Sequence, residues 1–105
     1  MDLEKLKQKL SSYPSEKIII KYHAEIQALV RDIDLEEVKE NLRNPKRLVY
    51  AEKQESQNPS EKKYNCYFAY SEDFAHRYIL TTNGNLIIVT IIRINRNWQK
   101  TIKKK

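Results

Sequence analysis

The chain has 105 residues and a net charge of +6, with 40 % hydrophobic and 32 % charged residues. This length accommodates one domain with a hydrophobic core, and the composition is that of a globular protein. The longest apolar stretch is too short to cross a bilayer, and the first residues lack the apolar segment of a signal peptide. We therefore predict a cytoplasmic protein that has no membrane partner.

The positive charge is concentrated at the carboxyl end. Six of the twenty Lys and Arg residues lie in the last thirteen positions, and no acidic residue follows Asp73, so the first 92 residues are neutral. A basic end on a neutral body is typical of a protein that binds a polyanion. The residues that we expect to contact nucleic acid are Arg93, Arg96, Lys100, Lys103 and Lys104. A terminal lysine run is equally typical of a solubilising, disordered end.

Rare residue types exclude several kinds of site. Gly84 is the only glycine, so the glycine-rich loops that bind nucleotide phosphates are absent. Cys66 is the only cysteine, which excludes an internal disulfide and a cysteine-based zinc site. The two histidines are far apart in the sequence and have no third ligand at metal spacing. We therefore predict no metal and no cofactor.

The sequence predicts three segments: an N-terminal amphipathic helix at 1–14, a single α+β domain at 15–95 and a basic C-terminal tail at 96–105. The domain contains a polar loop at 53–63 that we expect to be mobile. The first helix is indicated by leucines at helical spacing, at Leu3, Leu6 and Leu10. The β-branched run at 17–21 then predicts a strand or an extended lead-in.

Two further helices are predicted before the loop. In the first, four residues share one helical face and indicate about three turns, namely Tyr22, Ile26, Leu29 and Ile33. The second begins at the N-cap Asp34 and ends at Asn44-Pro45. Its apolar stripe consists of Leu35, Val38 and Leu42.

Four strands are predicted, at 47–51, 64–70, 75–82 and 85–94. Asn83-Gly84 favours a two-residue type I′ turn between the last two. With that turn, Arg77 faces Thr90 across the hairpin, and both share a face with isoleucines. The sequence therefore predicts an α+β fold in which N-terminal helices pack on a four-stranded antiparallel sheet.

His23 is the leading candidate for acid–base chemistry. It precedes Gln27 and Arg31 at positions i+4 and i+8 of one helix, which places the three on a polar strip. An imidazole and a guanidinium on one strip can bind a phosphodiester and transfer a proton. Arg77, among isoleucines, needs a carboxylate, a backbone acceptor or a bound anion. The alternatives are an ordinary helix-start histidine and an arginine at the sheet edge.

Aromatic residues are abundant in the predicted strands. Tyrosine is a common strand residue, but its ring can also stack on a nucleic-acid base. Four tyrosines near the predicted sheet could do so, namely Tyr64, Tyr67, Tyr70 and Tyr78. Trp98 can stack on a base or cover the end of the sheet, and we favour the second.

Three short motifs occur in a characteristic order. They are Ile18-Ile-Ile-Lys-Tyr-His23-Ala-Glu, then Arg31-Asp-Ile-Asp-Leu-Glu-Glu-Val38 followed by Asn44-Pro45, and finally Ile88-Val89-Thr90-Ile91. This order resembles a widespread prokaryotic family of small domains of unknown function. That family is similar to the superfamily that unites barnase, EndoU and RelE-type toxins. The resemblance covers residues 18–94 and implies helices packed on a four-stranded antiparallel sheet.

The resemblance implies a metal-independent endoribonuclease, in which the ribose 2′-hydroxyl attacks its own phosphate and leaves a cyclic phosphate end. His23 would be the general acid or base, Arg31 and Arg77 would hold the phosphate, and Thr90 would donate a hydrogen bond. In toxins of this superfamily a small antitoxin protein commonly covers the site, which makes RNA and an antitoxin the implied partners.

The chain departs from the family at one functional position. Ile26 and Gln27 stand where the family has an arginine three or four residues after the histidine. Two alternatives to an enzyme therefore stay open. One is a non-catalytic nucleic-acid-binding module, and the other is a protein-interaction domain that forms a homodimer or docks on a partner through its first helix.

Overall fold

The structure is a computed structural model that describes residues 2–103, with side chains up to Ile102. These residues form an α+β fold with four α-helices and one five-stranded sheet. The helices are α1 (Leu3–Ser11), α2 (Tyr22–Val30), α3 (Leu35–Arg43) and α4 (Trp98–Lys103), and a 3₁₀ turn spans Ser15–Lys17. The strands are β1 (Ile18–Ile20), β2 (Leu48–Gln54), β3 (Lys62–Ser71), β4 (Phe74–Thr82) and β5 (Leu86–Ile94).

The sheet is mixed, with the strand order β1-β5-β4-β3-β2. Strands β2 to β5 form an antiparallel meander, as predicted. The short β1 adds a fifth strand that runs parallel to β5, with Ile18 opposite Leu86 and Ile20 opposite Ile88. The α+β class is confirmed, and the four-stranded antiparallel sheet is corrected to a five-stranded mixed one. The three isoleucines of β1 indicate an extended segment, but they do not show that β5 has a free edge with which this segment can pair. The parallel pairing of β1 with β5 could therefore not be predicted.

The β4–β5 hairpin has a three-residue loop instead of the predicted two-residue turn. Thr82 pairs with Leu86, and Gly84 lies within the loop at a φ of 101°, a conformation that glycine adopts without steric cost. A further shift follows between Ile79 and Leu80.

Together the longer loop and the irregularity move the register by two residues. Arg77 therefore pairs with Ile92, and Thr90 pairs with Ile79, so the predicted pairing of Arg77 with Thr90 is wrong. Because strand side chains alternate with period two, a shift of two residues leaves Arg77 and Thr90 on the same face of the sheet.

The helices α1, α2 and α3 cover one face of the sheet and enclose the main core. From α1, Leu6 and Leu10 are buried in this core together with Val38 and Leu42 of α3. The segment 1–14 thus packs into the domain. Leu6 and Leu10 are buried against the rest of this chain and Leu3 is partly buried, so the leucine stripe is covered within the domain. Docking or dimerisation through this helix was one of the alternatives left open by the sequence.

Helix α3 begins where the sequence predicts. The Asp34 carboxylate accepts a hydrogen bond from the backbone N–H of Glu36 and caps the helix. The polar loop is shorter than predicted, because β2 extends to Gln54 and β3 begins at Lys62.

Helix α2 packs on the sheet through its small residues and exposes its large apolar side chains to solvent, unlike an ordinary amphipathic helix. Its buried residues are Ala24 and Ala28, while Tyr22 and Leu29 are 76 % and 78 % exposed. Small side chains allow the backbone of α2 to approach β5 closely. The side-chain oxygen of Gln27 accepts a hydrogen bond of 2.9 Å from the backbone N–H of Ile91. Gln27 thus supplies a hydrogen-bond acceptor to the backbone of β5 beyond the point where its pairing with β1 ends.

Helix α4 covers one end of the other sheet face. Trp98 and Ile102 pack against Tyr67 and Ala75, and the indole N–H of Trp98 donates to the Ser71 carbonyl at 2.9 Å. The predicted tail therefore contains a packed helix, and Trp98 covers the end of the sheet as expected. None of the helices described is long and apolar enough to span a membrane.

Candidate nucleic-acid interface

A row of arginine and aromatic side chains crosses the sheet at the end where β3 turns into β4. The Arg93 guanidinium carbon lies 4.9 Å from the ring centroid of Phe74. The Phe74 ring stacks on Tyr70 at 5.1 Å with 28° between the planes. On the other side, the Arg47 guanidinium carbon lies 4.2 Å from the centroid of Tyr70. We call these four residues the arginine–aromatic row.

Four different segments supply the row, and the antiparallel meander brings them together. Arg47 precedes β2, Tyr70 lies near the end of β3, Phe74 begins β4 and Arg93 lies near the end of β5. In an antiparallel sheet the end of one strand lies beside the start of the next, so these positions become neighbours.

Arg93 is held in place, whereas Arg47 is exposed. The guanidinium of Arg93 donates to the backbone carbonyl of Arg31 at 3.1 Å and to the Asn95 side-chain oxygen at 3.2 Å. The Arg93 side chain thus lies beside the backbone of Arg31, which the sequence also predicts to hold a phosphate. Arg47 is exposed and contacts the Tyr70 ring through a cation–π interaction.

The positive charge of the row is not neutralised by ion pairs. Among the described side chains, residues 2–102, the ion pairs join neighbours within one helix and include neither Arg47 nor Arg93. A base or phosphate can therefore reach two guanidinium groups that have no carboxylate bound to them.

A pocket of about 300 Å³ lies beside the Tyr70–Arg47 end of the row. This volume corresponds to roughly ten water molecules. The lining combines carboxylates, amides and cations, from Glu37, Glu40, Asn41, Asn44, Lys46, Arg47 and Tyr70. Such a mixed lining suits a polar group with both donors and acceptors.

A buried hydrogen-bond network supports the row from behind. The Asn41 side-chain amide donates to the hydroxyls of Tyr70 and Tyr78, each at 2.9 Å, and the Tyr78 hydroxyl lies 2.8 Å from Nδ1 of His76. Since Tyr78 accepts from Asn41, its own proton is available for His76, which requires an unprotonated Nδ1. The network fixes the position of the Tyr70 ring.

Burial shifts the pKa values in this network away from neutral pH. It raises the pKa of Tyr70 to about 12, with a further rise from the hydrogen bond to Glu37, and it also raises the pKa of Tyr78. Burial lowers the pKa of His76 below its usual 6.5. At neutral pH the two phenols are thus protonated and the imidazole is neutral, so the network positions groups and carries no charge.

The structure does not bring the four predicted catalytic residues into one site. His23 is exposed on α2, and Arg31 ends that helix, so both lie on the helical side of the sheet. Arg77 and Thr90 lie on the opposite face. Arg77 donates from Nε to the Asn65 side-chain oxygen at 2.6 Å, which satisfies its need for an acceptor.

The residues of the basic end fall into two groups. Arg93 belongs to the row, while Arg96 and Lys100 are exposed and line a separate pocket of about 480 Å³ together with Asp73. Lys104 and the side chain of Lys103 lie outside the described residues.

Sequence reasoning had selected Tyr70 and Arg93 but had missed Phe74 and Arg47. The sequence signal for Phe74 is its place in the short segment between the strands predicted at 64–70 and 75–82, directly before the second of them. Nothing in the local sequence marks Arg47, because its contact with Tyr70 depends on β2 pairing with β3.

No protein-family model, curated protein or solved structure matches this chain. The resemblance to a family of small domains therefore rests on the three motifs, and the geometry of the arginine–aromatic row is the main guide to function.

Proposed function

We propose that this protein binds single-stranded RNA along the arginine–aromatic row. The observation that carries the proposal is the uninterrupted stack of Arg47, Tyr70, Phe74 and Arg93 across the sheet. Proteins that bind single-stranded RNA commonly combine cationic groups for the phosphates with planar groups for the unpaired bases.

The exposed end of the stack is the expected place for a base. The Tyr70 ring is surrounded on the protein side, because Arg47 lies over it and the rings of Phe74 and His76 lie 5.1 Å and 4.8 Å from its centroid. A base therefore extends the stack by lying on the outer surface of the Arg47 guanidinium, which is planar and stacks well on aromatic rings. The neighbouring Arg31 and Arg93 attract the phosphates, and Arg96 with Lys100 extends the positive surface.

Binding is tested with fluorescently labelled single-stranded RNA and fluorescence anisotropy. The double variant Arg47→Gln/Arg93→Gln is compared with Lys5→Gln/Lys17→Gln, which removes the same charge from exposed sites away from the row. We expect the first variant to weaken binding by at least about tenfold, and the second to change it much less. Equal weakening by the two variants, or no binding by the unaltered protein, would contradict the proposal.

A second candidate function, metal-independent RNA cleavage, is favoured by the position of His23. The imidazole is exposed in the first turn of α2. The C-cap residue of the same helix is Arg31, whose backbone carbonyl accepts a hydrogen bond from Arg93. In this reaction His23 takes the proton of the 2′-hydroxyl while the 2′-oxygen bonds to phosphorus and the bond from phosphorus to the 5′-oxygen breaks. The departing 5′-oxygen takes a proton from water, and Arg31 with Arg93 stabilises charge on the phosphate. Arg77 and Thr90, on the other face, take no part. If the protein is such a nuclease, a small antitoxin protein would bind over this side of the sheet and block the site.

Cleavage is tested in EDTA with end-group analysis of the products. We expect cyclic phosphate ends from the unaltered protein and from Arg77→Ala, and none from His23→Ala. Intact RNA with all three proteins would eliminate cleavage while leaving RNA binding in place. Cleavage that needs Arg77 would contradict the assignment of the site to the helical side.

A further inference from the structure

The outer surface of α2 carries a stripe of large apolar side chains that nothing in the domain covers. Tyr22, Leu29 and Val30 are each about three-quarters exposed, at 76 %, 78 % and 76 %, and Ile26 is 40 % exposed. They follow one another at i, i+4, i+7 and i+8, so they lie on a single side of the helix. We call these four residues the α2 stripe.

The stripe is a consequence of how α2 packs. The helix turns Ala24 and Ala28 toward β5, and the bulky residues are on the opposite side. Three largely exposed side chains of this size within nine residues present several hundred Å² of apolar surface, as much as the largest patches on typical monomeric proteins. Surfaces of this kind commonly mark an interface.

We propose that a second copy of this chain covers the α2 stripe, with the two α2 helices packed antiparallel about a two-fold axis near Ile26. A two-fold interface needs a patch that is complementary to itself, and an uninterrupted apolar helix face meets this need. The stripe supplies the apolar centre of such an interface, whose standard size is roughly 800 Å² per partner, and the polar side chains around it supply the rim.

Charges at the two ends of α2 favour the antiparallel arrangement. Lys21 is the N-cap residue and Asp32 follows the C-cap, and both side chains are exposed. The ion pairs among the described side chains include neither of them. In an antiparallel pair Lys21 of each copy lies beside Asp32 of the other, whereas a parallel pair would place like charges together. The helix dipoles are also opposed in the antiparallel pair.

Arg31, which the RNA proposal assigns to the phosphates, directly follows Val30 of the stripe. The stripe itself contains none of the four residues of the arginine–aromatic row, and its proposal is tested through the oligomeric state. Loss of RNA binding therefore leaves the dimer proposal intact, and the reverse is also true.

The oligomeric state is tested by light scattering and sedimentation from low-micromolar to submillimolar concentration. Leu29→Glu places a charge in the stripe, and Val49→Glu places the same charge on an exposed apolar residue of β2, 39 % exposed and outside the stripe. We expect a dimer for the unaltered protein and for Val49→Glu, and a monomer for Leu29→Glu. A monomer at every concentration would overturn the proposal and leave a different protein as the occupant. A dimer that survives Leu29→Glu would overturn it as well.

A charge exchange tests the antiparallel arrangement. Lys21→Glu is expected to raise the dimer dissociation constant by about tenfold, because it faces Asp32 of the second copy with a like charge. Adding Asp32→Lys should restore the original value. Circular dichroism verifies that each variant is folded. A double variant as weak as the single one would contradict the antiparallel arrangement.

Discussion

The hydroxyl oxygen of Tyr78 lies 2.8 Å from Nδ1 of His76, and both side chains are buried. Asn41 donates to the same hydroxyl. When Nδ1 is unprotonated, the Tyr78 hydroxyl donates its proton to the imidazole. Burial is the main cause of the lowered pKa of His76, and Arg93 and Arg47 lower it further while Glu37 opposes them.

The His76–Tyr78 contact predicts a loss of stability in mild acid. The pKa of His76 is lower in the folded protein than its usual 6.5, so below about pH 6.5 the unfolded chain binds more protons. The free energy of unfolding should therefore fall as the pH drops from about 7 toward 5, and stay constant for this group above about 7. Urea unfolding at a series of pH values measures this.

Two variants isolate the contribution of His76. His76→Gln should be less stable at neutral pH but should show a flatter pH dependence, because the titrating group is gone. His23→Gln, at the exposed histidine of α2, should keep the pH dependence of the unaltered protein. An unchanged slope in His76→Gln would show that other groups cause the pH dependence.

The Gln27–Ile91 hydrogen bond predicts that Gln27 is a structural residue. Gln27→Ala leaves the backbone N–H of Ile91 without its 2.9 Å partner. An unsatisfied, largely buried N–H costs about 1–3 kcal/mol, so we expect the free energy of unfolding to fall by that amount. Gln8→Ala, at an exposed site of α1, should have little effect. If both variants are equally stable, water replaces the amide at Ile91.

The Tyr67 hydroxyl predicts a stabilising substitution. This hydroxyl is buried and has no hydrogen-bond partner among the described residues. Tyr67→Phe removes an unsatisfied group while keeping the ring against Tyr50, and should leave stability unchanged or raise it by about 1 kcal/mol. Tyr78→Phe deletes a hydroxyl bonded to Asn41 and His76, and should cost about 1–3 kcal/mol. Thermal and urea unfolding compare the two. Equal losses would indicate that the Tyr67 hydroxyl has a partner.

The Arg47–Tyr70 contact predicts that charge alone does not support RNA binding. Arg47→Lys keeps the positive charge but loses the planar group 4.2 Å from the Tyr70 centroid. We expect weaker RNA binding than in the unaltered protein, with the same dependence on salt concentration, because the charge is unchanged. Arg47→Gln should also reduce the salt dependence by about 0.7 in the log–log slope for single strands. Full affinity in Arg47→Lys would show that no base stacks on this residue.

Several elements could be predicted from the sequence because their signals are local. The leucine spacing of α1, the Asp34 cap of α3 and the position, though not the length, of the Asn83-Gly84 loop each depend on residues within a few positions of one another. Local conformational preference and side-chain periodicity are sufficient for such features. Arg93 was likewise visible as part of a basic end.

The tertiary structure decided the features that depend on distant residues. Periodicity locates the apolar face of α2 but not its direction, and here Ala24 and Ala28 face the sheet because they permit close packing on β5. The register of β4 against β5 depended on one extra loop residue and a local irregularity. The arginine–aromatic row exists only because the ends of four adjacent strands lie side by side at one end of the sheet. By itself, the sequence determined the α+β class, α1, α3 and the four antiparallel strands. Packing determined which side chains meet, since contacts between distant segments leave no local pattern in the chain.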